Sequence, residues 1–189
     1  MKPKIQTAIL FFLTAVFAVS AFMLVRQMTS YHAGDEAYAE ASEIAAIPEV
    51  PETETVQQPT EQPPQETQTE PTPSADPYAQ ALEQMDLPAL QQVNSDVIGW
   101  IAIPGTEISY PLVQGADNDY YLTHTWNQNS SAVGAIFMDC RCSADFSSFN
   151  TIVYGHRMNN GSMFAALKHY KKQDFLQAHP QLYVTDASG

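Results

Sequence analysis

From Ile5 to Val25 the sequence runs 21 residues without a charge. Coiled as a helix, such a run is about 31 Å long, which matches a hydrocarbon core of roughly 30 Å. Lys2 and Lys4 precede it, and beyond Arg26 the chain turns acidic. The positive-inside rule therefore predicts a cytoplasmic N-terminus with the remainder outside the cell membrane. The small residues Ala18-Val19-Ser20-Ala21 would suit a signal-peptidase site. The apolar run, however, continues past them through Phe22-Met23-Leu24-Val25. The expectation is an uncleaved signal anchor: residues 1–26 form a cytoplasmic stub and one membrane-spanning helix through residues 5–25.

The next stretch has the opposite character. Between Gly34 and Pro77 there are 11 acidic residues and no basic ones, and eight prolines fall between Pro48 and Pro77. A segment so poor in apolar side chains cannot offset the entropy of ordering it. Residues 27–77 are therefore expected to be an acidic, Pro-rich extracellular linker, disordered and extended, with transient helix at most over 37–46. As a polyproline-like spacer it would hold a folded domain up to about 140 Å from the bilayer.

Charge and cysteine count narrow the function. Eight Lys and Arg face 21 Asp and Glu, for a net charge of −13, and no cation occurs between Arg26 and Arg141. Without a basic stripe, nucleic acid is excluded as an expected partner. Two cysteines, Cys140 and Cys142, are too few for a disulfide framework or a zinc site. His32, His124, His169 and His179 show no ligand spacing, so neither metal nor cofactor is expected.

Residues 78–189 read as the folded part. Tyr78 to Val93 suggests one or two helices interrupted at Pro88. Ile98, Trp100 and Ala102 alternate against Gly99, Ile101 and Ile103, a strand closed by the Pro104-Gly105 turn. Ile108 to Val113 is the returning strand, Asp119 to Leu122 a short helix or turn, and Ala135 to Asp139 a further strand. Thr151 to Tyr154 and Leu182 to Val184 follow, with a helix near 172–178 stopped by Pro180. The fold class expected is mainly β with helical decoration, a mostly antiparallel sheet or barrel. Trp100, Tyr120 and Tyr121 are assigned to the core.

The candidate for chemistry is Thr151-Ile152-Val153-Tyr154-Gly155-His156. A strand ends, glycine breaks it, and a histidine follows at the rim, facing a polar Asn159-Asn160-Gly161 turn. Rigid backbone behind and an open loop in front suit proton transfer. Ser162 is expected to cap a helix that begins at Met163.

Four segments, in order, resemble class B sortases. They are Asn94-Ser95-Asp96-Val97-Ile98-Gly99-Trp100-Ile101 with Ile103-Pro104-Gly105-Thr106; Tyr110-Pro111-Leu112-Val113-Gln114-Gly115 with Asp117-Asn118 and Tyr121-Leu122; Gly134 to Asp139; and Asn150 to His156 with Met163-Phe164. The resemblance covers about Leu90 to Val184. It implies a sortase-type antiparallel β-barrel, incomplete here, and a membrane-anchored cysteine transpeptidase. Such an enzyme cleaves a C-terminal sorting signal of a secreted protein, forms a thioester, and passes it to a peptidoglycan peptide amine. His156 matches the family's acid–base histidine. Asn118 and Leu122 match positions lining its substrate groove.

The family's nucleophile sits in a Thr-Leu-x-Thr-Cys strand beyond the histidine, with an arginine later. No such motif occurs among the 189 residues. The expectation is that this chain carries no nucleophile and is a fragment of a sortase, inactive alone; a naturally shortened protein is the other reading. Cys140 and Cys142 occupy positions that are usually aromatic and Asn in the family, so neither is expected to be catalytic, and Arg141 and Arg157 are expected to be loop arginines facing solvent. The competing function from another class is a non-catalytic, membrane-tethered β-domain acting as a binding module.

Overall fold

The computed structural model describes residues 3–48 and 76–186. The Pro-rich stretch from 49 to 75, the bulk of the expected linker, lies outside the described residues. Helix α1 (Pro3–Ala45) is followed by two short helices, α2 (Pro77–Glu83) and α3 (Leu87–Val93). Then come strands β1 (Val97–Ala102), β2 (Ser109–Val113) and β3 (Ile136–Met138), with a 3₁₀ turn at Tyr120–Leu122 between the last two. Strand β4 (Val153–Tyr154), a 3₁₀ helix (Phe164–Lys171), α4 (Gln173–Ala178) and β5 (Tyr183–Thr185) complete the order.

Both short helices start where the sequence offers a carboxylate followed by proline. Asp76 caps α2 by accepting from the Tyr78 N–H, and Asp86 caps α3 by accepting from the Ala89 N–H. Pro77 and Pro88 sit in the first turn, where a missing N–H costs nothing. Pro88 thus opens the second helix; the break lies just before it.

The five strands form one curled sheet in the order β4-β3-β2-β1-β5. Three of its pairings are antiparallel, as expected. The β2–β3 pairing is parallel, with Leu112 opposite Ile136 and Val113 opposite Phe137. The cause is the long crossover through Tyr120–Leu122 and the loop after it, which returns the chain to the starting end before β3 begins.

The three central strands, β1 to β3, are buried on both faces, so they read as near-continuous apolar runs, while the edge strands β4 and β5 are only partly covered. Trp100, Ala102, Val113 and Phe137 point into one cluster with Leu82, Leu87, Leu90, Tyr121 and Trp126. Ile101, Ile103, Leu112, Ile136 and Met138 point into the other, with Ile108 and Met163. Trp100 and Tyr121 are core, whereas Tyr120 is 39% exposed and stacks on His124 at 4.0 Å.

Helix α1 departs most from expectation. The expected end of the helix near residue 26 is absent: it runs unbroken to Ala45, well into the segment assigned to a linker. Its far half docks on the domain through a stripe of small residues. Gly34 is in contact with Val133; a Cβ on it would come within 2.7 Å of Val133 Cγ2. Ala37, Ala41 and Ala45 are buried. The spacing is that of one helical face. Trp126 Nε1–H donates to the Ala37 carbonyl at 2.6 Å, and the Asp86 N–H donates to the Ala45 carbonyl at 3.0 Å. The acidic residues Asp35, Glu36, Glu40 and Glu43 lie on the exposed face. Their abundance suggested disorder, yet they are the solvent side of an amphipathic helix.

The near half of α1 is apolar enough to cross a membrane, and its most apolar window, of mean hydropathy 2.3, is not buried by the domain at all.

Candidate active site

The site is built around Gly155 and Gly134. Strand β4 pairs with β3, Tyr154 opposite Phe137 and Val153 opposite Met138. At Gly155 a Cβ would meet Ile136 Cδ1 at 2.3 Å and Phe164 Cδ2 at 2.8 Å, so any larger residue would have to displace those two side chains. His156 comes next. Its carbonyl accepts from the Phe164 N–H at 2.9 Å, and its ring Nε2–H donates to the Leu122 carbonyl at 2.7 Å. A carbonyl can only accept, so this bond places a proton on Nε2. In the neutral ring Nδ1 is then the basic nitrogen.

Gly134 supplies the floor. It has φ +65°, and a Cβ there would lie 2.8 Å from the carbonyl oxygens of Tyr121 and Leu122 and 3.0 Å from His156 Cδ2. Ala135 N–H donates to the Tyr121 carbonyl at 2.8 Å, holding the 3₁₀ turn against β3. Tyr121 is itself pinned in the core, donating to Asp96 and accepting from Asn94, both at 2.8 Å. Helix α1 reaches the same floor: the half-buried Tyr38 donates its hydroxyl to the Gly134 carbonyl at 2.6 Å. Burial, together with the nearby Tyr110, holds the Tyr38 phenol far above its ordinary pKa, so it stays a donor. Tyr38 also packs edge-on against Tyr110 at 5.1 Å, and the Tyr110 hydroxyl accepts from the Met163 N–H at 2.9 Å.

Two of the three expected site residues thus meet: Leu122 touches His156 through its backbone. Asn118 sits farther along the same loop, with its side-chain oxygen accepting from the Cys140 N–H at 2.9 Å. It bridges the β2–β3 and β3–β4 loops, and that bond uses its amide oxygen. The expected cap at Ser162 does not form. Met163 takes φ 57° and is fully buried, the Ser162 hydroxyl donates to Asn160 at 2.7 Å, and the following helix is 3₁₀. The reversal is dictated by Met163 and Phe164, whose N–H groups are committed to Tyr110 and His156.

Asp139 is a structural centre that its place in the sequence did not reveal. Its carboxylate is 1% exposed and accepts from Arg141 Nε and a terminal nitrogen at 2.9 and 2.6 Å, from the Arg141 N–H at 2.9 Å, and from the Tyr154 hydroxyl at 2.9 Å. Arg141 therefore has a defined ionic partner while most of its side chain stays in water. The guanidinium bonds first, then the Arg141 N–H, hold the Asp139 carboxyl well below the usual carboxylate range. A group depressed in the fold stabilises it above the unfolded pKa near 4, and that contribution is lost as pH falls through the folded value. The native protein should therefore lose thermal stability on going from pH 7 to pH 3. Asp139→Asn should be less stable at pH 7 and show a flatter decline, read as the melting midpoint at each pH. Parallel declines in both proteins would refute the assignment.

Among the described residues no cluster of three or more His, Cys, Asp or Glu side chains has the arrangement of a metal site. Cys140 and Cys142 are free thiols in the β3–β4 loop, the latter donating weakly to the Asn150 carbonyl at 3.5 Å.

Comparison with known proteins bears on the family and the fold. Residues 101–186 match the sortase domain family. Sortase B of Listeria monocytogenes is 50% identical over 95 residues, which are 50% of this chain and 39% of that one. Over its sheet domain the chain is similar to the class B sortases. Sortase B of Staphylococcus aureus is 38% identical over 91 residues, covering 48% of this chain and 37% of the relative. The chain thus spans about two-fifths of the curated relatives it matches. Among solved structures, sortase B from Bacillus anthracis superposes with a TM-score of 0.60 at 34% identity, over 83% of this chain and 62% of that one. A sortase B complexed with triglycine gives a TM-score of 0.54 at 34% identity, over 57% of this chain and 50% of that one. The sortase B curled half-barrel is the fold of this domain.

Proposed function

We propose that this chain is part of a class B sortase and supplies the acid–base histidine of a cysteine transpeptidase that joins secreted proteins to the cell wall. The observation that supports this most is the fixed ring of His156, whose Nε2–H is anchored on the Leu122 carbonyl. Nδ1 is then the nitrogen that exchanges protons. In the first half-reaction a cysteine thiolate attacks the carbonyl carbon of the scissile amide in a sorting signal. The C–S bond forms, the C–N bond breaks, and the leaving amine takes the proton from the imidazolium. In the second, an amine of the peptidoglycan peptide gives its proton to the imidazole and attacks the thioester, and the thiolate leaves. The thiol is not assigned to any residue of this chain. The triglycine bound in a related sortase B suits an amine acceptor of this kind.

The sorting signal would run past the 3₁₀ turn carrying Leu122, with Asn118 setting the loop's shape through Cys140 as well as contacting substrate. The apolar helix is compatible with a membrane anchor. With Lys2 and Lys4 before the span and acidic residues after it, the domain would face outward. The test is ligation by the complete gene product in its membrane, given a sorting-signal peptide and triglycine. The expected result is a peptide–triglycine amide, detected by mass and abolished by thiol alkylation. Folded protein that yields neither amide nor hydrolysed peptide, across a library of sorting signals, would overturn the reading.

A further inference from the structure

Where α1 leaves its apolar span and meets the domain there is a cleft of about 590 Å³. We infer that this cleft, lined by Met23, Arg26, Gln27, Ser130, Ala132 and Met158, holds the headgroup of an anionic phospholipid. The inference goes beyond the transpeptidase reading and rests only on the apolar helix crossing a membrane.

Position carries the first part of the argument. The charge-free run ends at Val25, and among the contacts of the described residues α1 meets the domain at Ser30, whose hydroxyl accepts from the Ala132 N–H at 2.8 Å. Five residues of continuous helix are about 7.5 Å. The headgroup layer of one leaflet is roughly 5–8 Å deep. The cleft therefore opens at headgroup depth, and its size falls within the ~300–1,000 Å³ typical of small-molecule sites.

Chemistry carries the second part. The serines at the closed end are committed to each other: Ser131 donates to the Ser30 carbonyl at 3.1 Å, and the two hydroxyls lie 3.3 Å apart. Gln27 donates to the Tyr31 hydroxyl at 2.9 Å. Arg26 is the cleft's one lining cation, no carboxylate is among the lining residues, and among the described residues none pairs with it. A guanidinium at that depth forks onto phosphate oxygens while its methylenes lie along apolar surface. Met23 and Met158 flank it, as the first acyl carbons of a lipid require. The chain's net charge of −13 repels an anionic bilayer as a whole. Any preference for anionic lipid must therefore come from a local site such as this one.

The test uses the full chain released from mixed vesicles of phosphatidylglycerol and phosphatidylcholine in equal parts, with retained lipid counted by native mass spectrometry. Flotation with the vesicles shows first that the helix inserts. One phosphatidylglycerol per chain, enriched at least threefold over phosphatidylcholine, is expected. Arg26→Gln should abolish the enrichment. Ala132→Glu, which places a carboxylate in the cleft from an exposed position on the domain, should do the same without altering the span. Lys168→Gln, an exposed cation elsewhere, should leave it intact, and 20 mM inorganic phosphate should not displace the lipid. Equal retention of both lipids by the native chain, unchanged enrichment in Arg26→Gln or in Ala132→Glu, or equal loss in Lys168→Gln would each overturn the inference. So would displacement by phosphate, or occupation of the cleft by another part of the chain. A protein that ligates peptides normally but fails this test sinks the lipid site alone.

Discussion

His156→Ala is expected to lower peptide ligation by the gene product by 10²- to 10⁴-fold, the range ascribed to a positioned acid–base group, while leaving the fold in place. The ring's lost bond is to the Leu122 carbonyl, on a residue that is 37% exposed, so water replaces the donor. A net loss of about 1 kcal/mol follows, less than roughly 8 °C in melting midpoint for a domain of this size. His156→Gln separates the two jobs of the ring. Its amide can still donate toward Leu122, but it cannot carry a proton. It should match alanine in activity and the native protein in stability. Ligation within tenfold of native by either variant would remove His156 from the mechanism. Gly155 and Gly134 sit beneath this result. Both exclude a Cβ, one against Ile136 and Phe164, the other against the Tyr121 and Leu122 carbonyls. The imidazole is thus placed by backbone packing, and a shift of about 1 Å there would cost as much as 10²-fold in rate.

That placement explains which parts of the molecule could be read in advance. Strands β1 and β2 were legible because two short apolar runs are separated by the Pro104-Gly105 turn. His156 was legible because a β-branched run, a glycine and a polar turn bracket it. What failed depended on distant partners. Ser162 looks like a cap, yet the Met163 N–H is taken by Tyr110, 53 positions earlier. Asp139 looks like the end of a strand, and only the fold brings Tyr154 onto its carboxylate. The parallel register of β3 depends on a crossover whose path no local pattern encodes. Helix α1 differs most from what its composition suggests. Its acidic content is that of a disordered segment, yet Gly34, Ala37, Ala41 and Ala45 repeat at helical spacing. Small residues carry little weight in hydropathy. Their value lies in how close they let two backbones come, and that appears only when Trp126 and Val133 are set against them.

Ala41→Glu should therefore detach the helix from the domain. Ala41 has no exposure and belongs to the cluster containing Leu82, Leu90, Trp100 and Trp126. A glutamate there must either bury an unpaired charge, at about 3–5 kcal/mol, or swing the helix away. Swinging away exposes Trp126, breaks its bond to the Ala37 carbonyl and removes the Tyr38 hydroxyl from Gly134. The melting midpoint of the domain should fall by roughly 10–20 °C, the indole emission should shift to the red, and residues 46–48 should become sites of rapid proteolysis. Glu40→Ala, one position earlier on the exposed face, should lose little more than the Asn127 contact at 2.9 Å. The consequence reaches the histidine. With Tyr38 gone the Gly134 carbonyl is free to turn, and the floor beneath His156 loosens, so ligation should fall even where the domain stays folded. The apolar helix and the site are then one mechanical unit, with the far half of α1 holding the imidazole in register. A variant that keeps its melting midpoint and its buried tryptophan would show that the helix stands free of the domain in the bilayer, and that the His156 cradle is held by the sheet alone.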